Sequence, residues 1–219
     1  MKKNYNFIGA ILDRSGSMQG DKIQEARVGF NTFIEEQKNK KEKETDVYVT
    51  IFDNEIDTLY QGDINSCPEL NENNFFARSM TSLYDAIGHT IKNVGEILKN
   101  KQEDMRPEKV MLIIITDGME NNSSEYISEN IKSMIEEQRD KYSWEIIFMG
   151  AGEDVMLQSQ SIGIDLSHTL SYSDTADGVT AAYSVMSMAY DSFDSGDFRG
   201  FSSQTAEDEV KKYKITNKK

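Results

Sequence analysis

Three short segments of this sequence carry oxygen-bearing side chains at spacings that suit a hard divalent cation. The first is Asp13-Arg14-Ser15-Gly16-Ser17-Met18, a D-x-S-x-S pattern in which alternate residues offer oxygen. The second is Met80-Thr81-Ser82 and the third is Thr116-Asp117-Gly118. Mg2+ takes near-octahedral oxygen at about 2.0–2.1 Å and keeps several of its waters, so a few protein oxygens suffice. The hydroxyls of Ser15, Ser17 and Thr81 would be neutral ligands, with Asp13 and Asp117 binding directly or through water. Gly16 permits the tight turn that aims three oxygens at one point. A site with few direct carboxylates leaves its cation under-neutralised, able to accept an anionic oxygen from outside.

Chemistry of this kind needs elements that end where the oxygens are. The run from Tyr5 to Leu12 is apolar, stops at Asp13 and reads as a buried strand. Ile23, Ala26, Phe30, Phe33, Ile34 and Gln37 fall at helical spacing between Asp21 and Lys40. Asp46 to Phe52 alternates as a strand, and Glu55 to Gln61 reads as its short antiparallel partner. Residues 62–80 are expected to form a long loop. Leu83, Ile87, Thr90, Ile91, Val94 and Leu98 then share one face of a second long helix. Lys109 to Thr116 is the most apolar run of the chain, as a central parallel strand covered on both faces requires. A helix around Ile127 to Gln138, a strand from Trp144 to Met149, a short helix from Glu153 to Ile162, a strand from His168 to Tyr172 and a last helix through Val179 and Phe193 complete the pattern. Alternating strands and helices predict an α/β fold: a doubly wound, mostly parallel sheet with one short antiparallel edge strand and helices on both faces. In such sheets ligands collect beyond the carboxyl ends of the strands, which is where Asp13 and Asp117 fall. From Ser195 onward the sequence is polar and aperiodic, so residues 1–194 are expected to form the domain and 195–219 a polar surface tail.

Composition narrows the partners. The chain has 219 residues and a formal net charge of −14, with 38 acidic against 24 basic side chains. That balance opposes binding to nucleic acid, which needs clustered Lys and Arg, and docking on anionic membranes. Cys67 is the only cysteine, and His89 and His168 are the only histidines, so zinc held by thiolates or imidazoles is not expected. No apolar run reaches the ~18 residues of a membrane span, and a cytoplasmic location is the simplest expectation.

Asp13, Ser15, Ser17, Thr81 and Asp117, with the flanking Ser-Gly-Ser-Met and Ile-Thr-Asp-Gly, resemble the von Willebrand factor A domain and its five-part metal-ion-dependent adhesion site. The likeness runs from Tyr5 to Phe193 in strand–helix order. The Leu83-Tyr84-Asp85-Ala86-Ile87 segment is more similar to small stand-alone bacterial or phage members, tellurium-resistance-associated ones included, than to animal adhesion receptors. The resemblance implies a Rossmann-like fold and Mg2+ or Mn2+ held directly by Ser15, Ser17 and Thr81, and partly through water by Asp13 and Asp117. It also implies a protein partner whose exposed Asp or Glu completes the metal sphere; neutral hydroxyl ligands and no evident activated nucleophile or base point to binding without catalysis. Glycines often precede the motif threonine in this family; here Ser79 and Met80 do.

The alternative is a Mg2+-dependent phosphohydrolase with Asp13 as nucleophile. Position 15 is then expected to be a second carboxylate, and it is serine. Arg14 reads as a solvated loop arginine, or as one that orients an incoming carboxylate. Asp85 reads as a cap or charge on the start of its helix, or as a hydrogen-bond partner of a water near the cation, and Asp53 as a turn residue beside Asn54. Gly150-Ala151-Gly152 lacks the third glycine of a nucleotide loop. Both histidines are expected to be ordinary, Met134 and Met186 to fill core, and Lys38 to Lys43 to be a solvated helix end.

Overall fold

In the computed structural model, which describes residues 1–40, 42–152 and 154–216, the two most apolar runs lie side by side at the centre of one sheet. These are β1 (Lys2–Asp13) and β4 (Pro107–Thr116), paired in parallel from Asn6↔Lys109 to Leu12↔Ile115. β2 (Glu44–Phe52) joins the other side of β1, and β3 (Ile56–Asp63) pairs antiparallel with β2 at the edge. β5 (Glu145–Ala151) and β6 (Thr169–Tyr172) extend the sheet beyond β4, giving the order β3-β2-β1-β4-β5-β6. The expected α/β sheet, parallel but for one edge strand, is therefore what the chain forms.

The two-residue period of the strands divides the core. Ile8, Ala10 and Leu12 of β1, with Met111, Ile113 and Ile115 of β4, face α1 (Asp21–Lys38) and α5 (Ala176–Ser195). Phe7 and Ile11, with Leu112 and Ile114, face α2 (Leu83–Asn100) and α3 (Ser128–Tyr142). The helix stripes read from the sequence are the buried faces: Ile23, Ala26, Phe30, Phe33, Ile34 and Gln37 on α1, and Leu83, Ile87, Ile91, Val94 and Leu98 on α2. Each fully buried aromatic or aliphatic side chain of this kind contributes about 1.5–3 kcal/mol.

Two local outcomes differ from the sequence pattern. The short helix α4 is Val155–Ser161; Glu153, where it was expected to begin, lies outside the described residues. The segment after Ser195 carries a helix, α6 (Ala206–Thr216), and just before it Thr205 bridges in parallel to Ser171 of β6. Gln204 O accepts from Ser171 N at 3.0 Å, and Ala206 is buried in the α1/α5 core. Polar composition hid this element, because its docking uses backbone pairing and scattered side chains, Ala206 and the partly buried Val210, with Phe198 and Phe201 before them, rather than a continuous apolar stripe. Residues 217–219 lie outside the described residues. Of the lysine-rich stretch, Lys40 pairs with Asp191, and Lys43 with Asp194 at 2.5 Å, while Lys41 lies outside the described residues.

Candidate metal centre

Because β1 and β4 are parallel neighbours, their exits emerge together and bring Asp13 beside Thr116 and Asp117. Asp13 is buried; one of its oxygens accepts from Ser15 N at 2.6 Å and the other from the Thr116 hydroxyl. The hydroxyls of Ser15 and Ser17 lie 2.9 Å apart, and the Ser17 hydroxyl donates to Asp117 Oδ1 at 2.5 Å. Lys22 Nζ, in the first turn of α1, donates to Asp117 Oδ2 at 2.6 Å. Thr81 closes the cluster from the loop before α2. A Cβ built on Gly118 would stand 2.9 Å from Thr81 Oγ1 and 3.5 Å from Ser17 Oγ, so those two hydroxyls converge on the space that this glycine leaves open. All five residues singled out by type and spacing thus meet at one end of the sheet.

The loops that carry them are tied to one another by backbone. Gly16 N donates to Ser79 O at 2.8 Å and Arg78 N to Arg14 O at 2.9 Å. A side chain at Gly16 would meet Arg78 O at 3.0 Å, a contact with rigid backbone. Loop 119–126, after Asp117-Gly118, is fastened to the start of α2. Asn121 Oδ1 accepts from Thr81 N at 2.9 Å, and Asn121 N donates to Thr81 O at 3.1 Å. Glu120 accepts from Tyr84 N at 2.9 Å, which satisfies a first-turn amide of α2 where a negative charge is favoured. Asp85 accepts from Ser124 N, Glu125 N and Tyr126 N at 2.9–3.0 Å.

Asp85 is thus a clamp on the loop after β4, a role its position in the first turn of the helix does not advertise. Arg14 departs from expectation, whereas Asp53 keeps the expected turn role beside Asn54, accepting from Glu55 N at 2.9 Å, and adds ion pairs to it. Arg14 is only 4% exposed, and its guanidinium reaches Asp57 at 2.5 Å and Asp53 at 3.4 Å. Asp53 is fully buried and also receives Arg78 at 2.6 and 2.9 Å. Arg14 is therefore not solvated and is already paired. Together with Arg78 it gathers the exits of β1 and β2 and the loop before Thr81 onto one carboxylate. His168 pairs with Glu145 at 2.7 Å at the opposite end of the sheet, and His89 with Glu125 at 3.0 Å. Sequence reasoning missed Glu120, Asn121, Asp85 and Arg78 as positioning residues. The available signal was the polar run Glu120-Asn121-Asn122-Ser123-Ser124 directly after a strand exit.

The electrostatics favour a cation. Burial pushes the Asp13 carboxyl up to about 6; the Thr116 hydrogen bond opposes the rise, Asp117 adds to it, and the Ser15 amide and hydroxyl oppose it. A buried carboxylate so placed lacks a counter-charge of its own. Among the described residues no three or more His, Cys, Asp or Glu side chains gather into a metal cluster, so a cation here would rely on hydroxyl oxygen, which suits Mg2+-like ions more than thiophilic ones.

No helix among the described residues is long and apolar enough to cross a membrane. No curated protein resembles the sequence significantly. Solved structures do share the fold. A von Willebrand factor type A protein from Catenulispora acidiphila matches with TM-score 0.57 and 14% identity over 84% of this chain and 42% of its own. The vWF domain of the type V pili tip protein Mfa5 from Porphyromonas gingivalis matches with TM-score 0.57 and 11% identity, over 90% and 97%. Proximal thread matrix protein 1 of the mussel byssus, with a zinc-occupied MIDAS motif, matches with TM-score 0.56 and 15% identity, over 81% and 46%. The chain spans about half the length of the first such solved chains. The family model for the von Willebrand factor type A domain matches residues 8–182, most of the chain and both strand exits, and the protein belongs to that family.

Proposed function

We propose that the site holds Mg2+ or Mn2+ on Ser15, Ser17 and Thr81, with Asp13 and Asp117 binding partly through water, and that the protein is a metal-dependent interaction module. The observation that carries this reading is the convergence of three hydroxyls and two carboxylates from three separate loops. When bound, the cation supplies a Lewis-acidic position for one further anionic oxygen. The partner is a protein that presents an exposed Asp or Glu. A mussel-byssus relative with a zinc-occupied MIDAS motif supports a divalent cation at this place in the fold, and the pilus tip relative is in keeping with an adhesive role. Asp13 fits a positioning role better than nucleophilic attack, since both its oxygens are already hydrogen-bonded and the side chain is buried.

The chain's own residues orient the site. Thr116 and the Ser15 amide fix the Asp13 carboxylate, Asn121 fixes the Thr81 backbone, and the Arg14–Asp53–Arg78 group fixes the loops. Met80 and Met119, one residue from Thr81 and Gly118, are about half exposed and give the rim an adaptable apolar border. The test is affinity capture from a lysate of the source cells with the tagged protein in Mg2+ and in EDTA. A protein retained in Mg2+ by wild type, and lost both in EDTA and with Ser15→Ala or Thr81→Ala, is the expected result. Retention that ignores EDTA and both substitutions would overturn the reading.

A further inference from the structure

Asp117 divides its two oxygens between Ser17 and a lysine, and that lysine changes the charge of the site. Lys22 Nζ lies 2.6 Å from Asp117 Oδ2 and 2.6 Å from Asp174 Oδ1 in the loop between β6 and α5. The two carboxylates are unlike. Asp117's side chain is wholly buried, whereas Asp174's is 62% exposed, so water and salt screen the second far more than the first. The field of the ammonium is therefore felt inside the site.

The other charges nearby are committed elsewhere. Arg14 is paired with Asp53 and Asp57, Arg78 with Asp53 and Glu55, and the carboxylates of Asp85 and Glu120 accept from loop and helix amides. The buried balance is then two negative charges, Asp13 and Asp117, against one positive, Lys22. A divalent cation facing two carboxylates alone would make a neutral site with no electrostatic call on a third. With the ammonium present, the loaded site keeps one unit of positive charge, which one incoming carboxylate neutralises.

We propose that Lys22 sets the selectivity of the site: it loosens the grip on the cation and in return keeps the loaded site attractive to an acidic group. The proposal rests on the cation-site reading above. It assigns the coupling between cation and carboxylate to a residue outside the five hydroxyl and carboxylate positions.

The experiment titrates Mn2+, followed by the electron paramagnetic resonance of the free ion, into wild type, Lys22→Met, Lys22→Arg and Asp13→Ala, each shown to be folded by circular dichroism. Acetate is then titrated into the Mn2+-loaded proteins as a carboxylate probe, read by water-proton relaxation. Lys22→Met is expected to bind Mn2+ roughly tenfold more tightly than wild type and acetate several-fold more weakly, with Lys22→Arg near wild type in both. Lys22→Gln replaces the methionine variant if that one does not fold. Mn2+ affinity that is unchanged or lower without the lysine, or acetate affinity that is unchanged, overturns the assignment while leaving the cation site standing. Failure of wild type to bind Mn2+ more tightly than Asp13→Ala overturns both.

Discussion

At the scale of single residues, the candidate site depends on atoms that are absent as much as on those present. Gly118 is the clearest case. The missing Cβ leaves the space between Thr81 Oγ1 and Ser17 Oγ, and a methyl there would stand 2.9 Å from the threonine oxygen. Gly118→Ala is expected to weaken Mn2+ binding at least tenfold while moving the thermal midpoint by no more than a few degrees, because the clash falls on a hydroxyl proposed as a ligand rather than on core. Mn2+ titration beside a melting curve checks it; unchanged affinity would show that the space is not where the cation sits. Asp13, Ser15, Ser17 and Asp117 were legible in the sequence because strand exits are legible, and Thr81 because it stands just before the apolar stripe of a long helix. An apolar run that stops at Asp13, and another that stops at Asp117, give both chemistry and place at once. Arg14 was not legible. Its position between motif residues suggested solvent, and only the fold shows that the turn after β2 and β3 itself bring the carboxylates of Asp53 and Asp57 to cover it.

At the scale of elements, three loops are held in register by charge buried between them, and this has a pH signature. Burial by itself would raise the Asp53 carboxyl, but hydrogen bonds from Arg78 and from the Glu55 amide, together with the charge of Arg14, hold it below the usual range. A carboxylate lowered in the folded state adds stability that is present above its unfolded value, ~3.9, and is lost as pH falls through the folded value. Asp53→Asn should therefore cost about 3 kcal/mol at pH 7, as breaking a buried pair does, and should flatten the loss of stability below pH ~4. Urea unfolding across pH 2 to 7 reads both; an acid limb as steep as that of wild type would remove Asp53 from the account. The central strands and the α1, α2 and α5 stripes were readable because burial imposes a period on the sequence. The clamp formed by Glu120, Asn121 and Asp85 was not, since side chain to backbone bonds in a loop leave no period.

At the scale of the whole molecule, the C-terminal segment closes one edge of the sheet and reaches toward the site. Residues 204 and 205 pair with Ser171 of β6, and Glu207 accepts from Ser173 N at 2.8 Å, beside the Asp174 that meets Lys22. A covered edge is protected from pairing with other chains. Ala206→Asp, which places a charge in a fully buried position, is expected to abolish hydrogen-exchange protection over residues 204–216 and at Ser171 while β1 and β4 stay protected. Loss of protection across the entire sheet would mean that α6 is integral to the core rather than docked on its edge. The net charge of −14 also acquires a meaning at this scale, since the acidic partner proposed above would have to approach an acidic surface and only a local positive centre would hold it. That centre would be the bound cation. Its most direct test is a crystal of the protein soaked in Mn2+ and measured for anomalous scattering. A single strong peak within about 2–2.5 Å of the hydroxyl oxygens of Ser15, Ser17 and Thr81 is the predicted result. A peak elsewhere on the acidic surface with none at these three oxygens would contradict it.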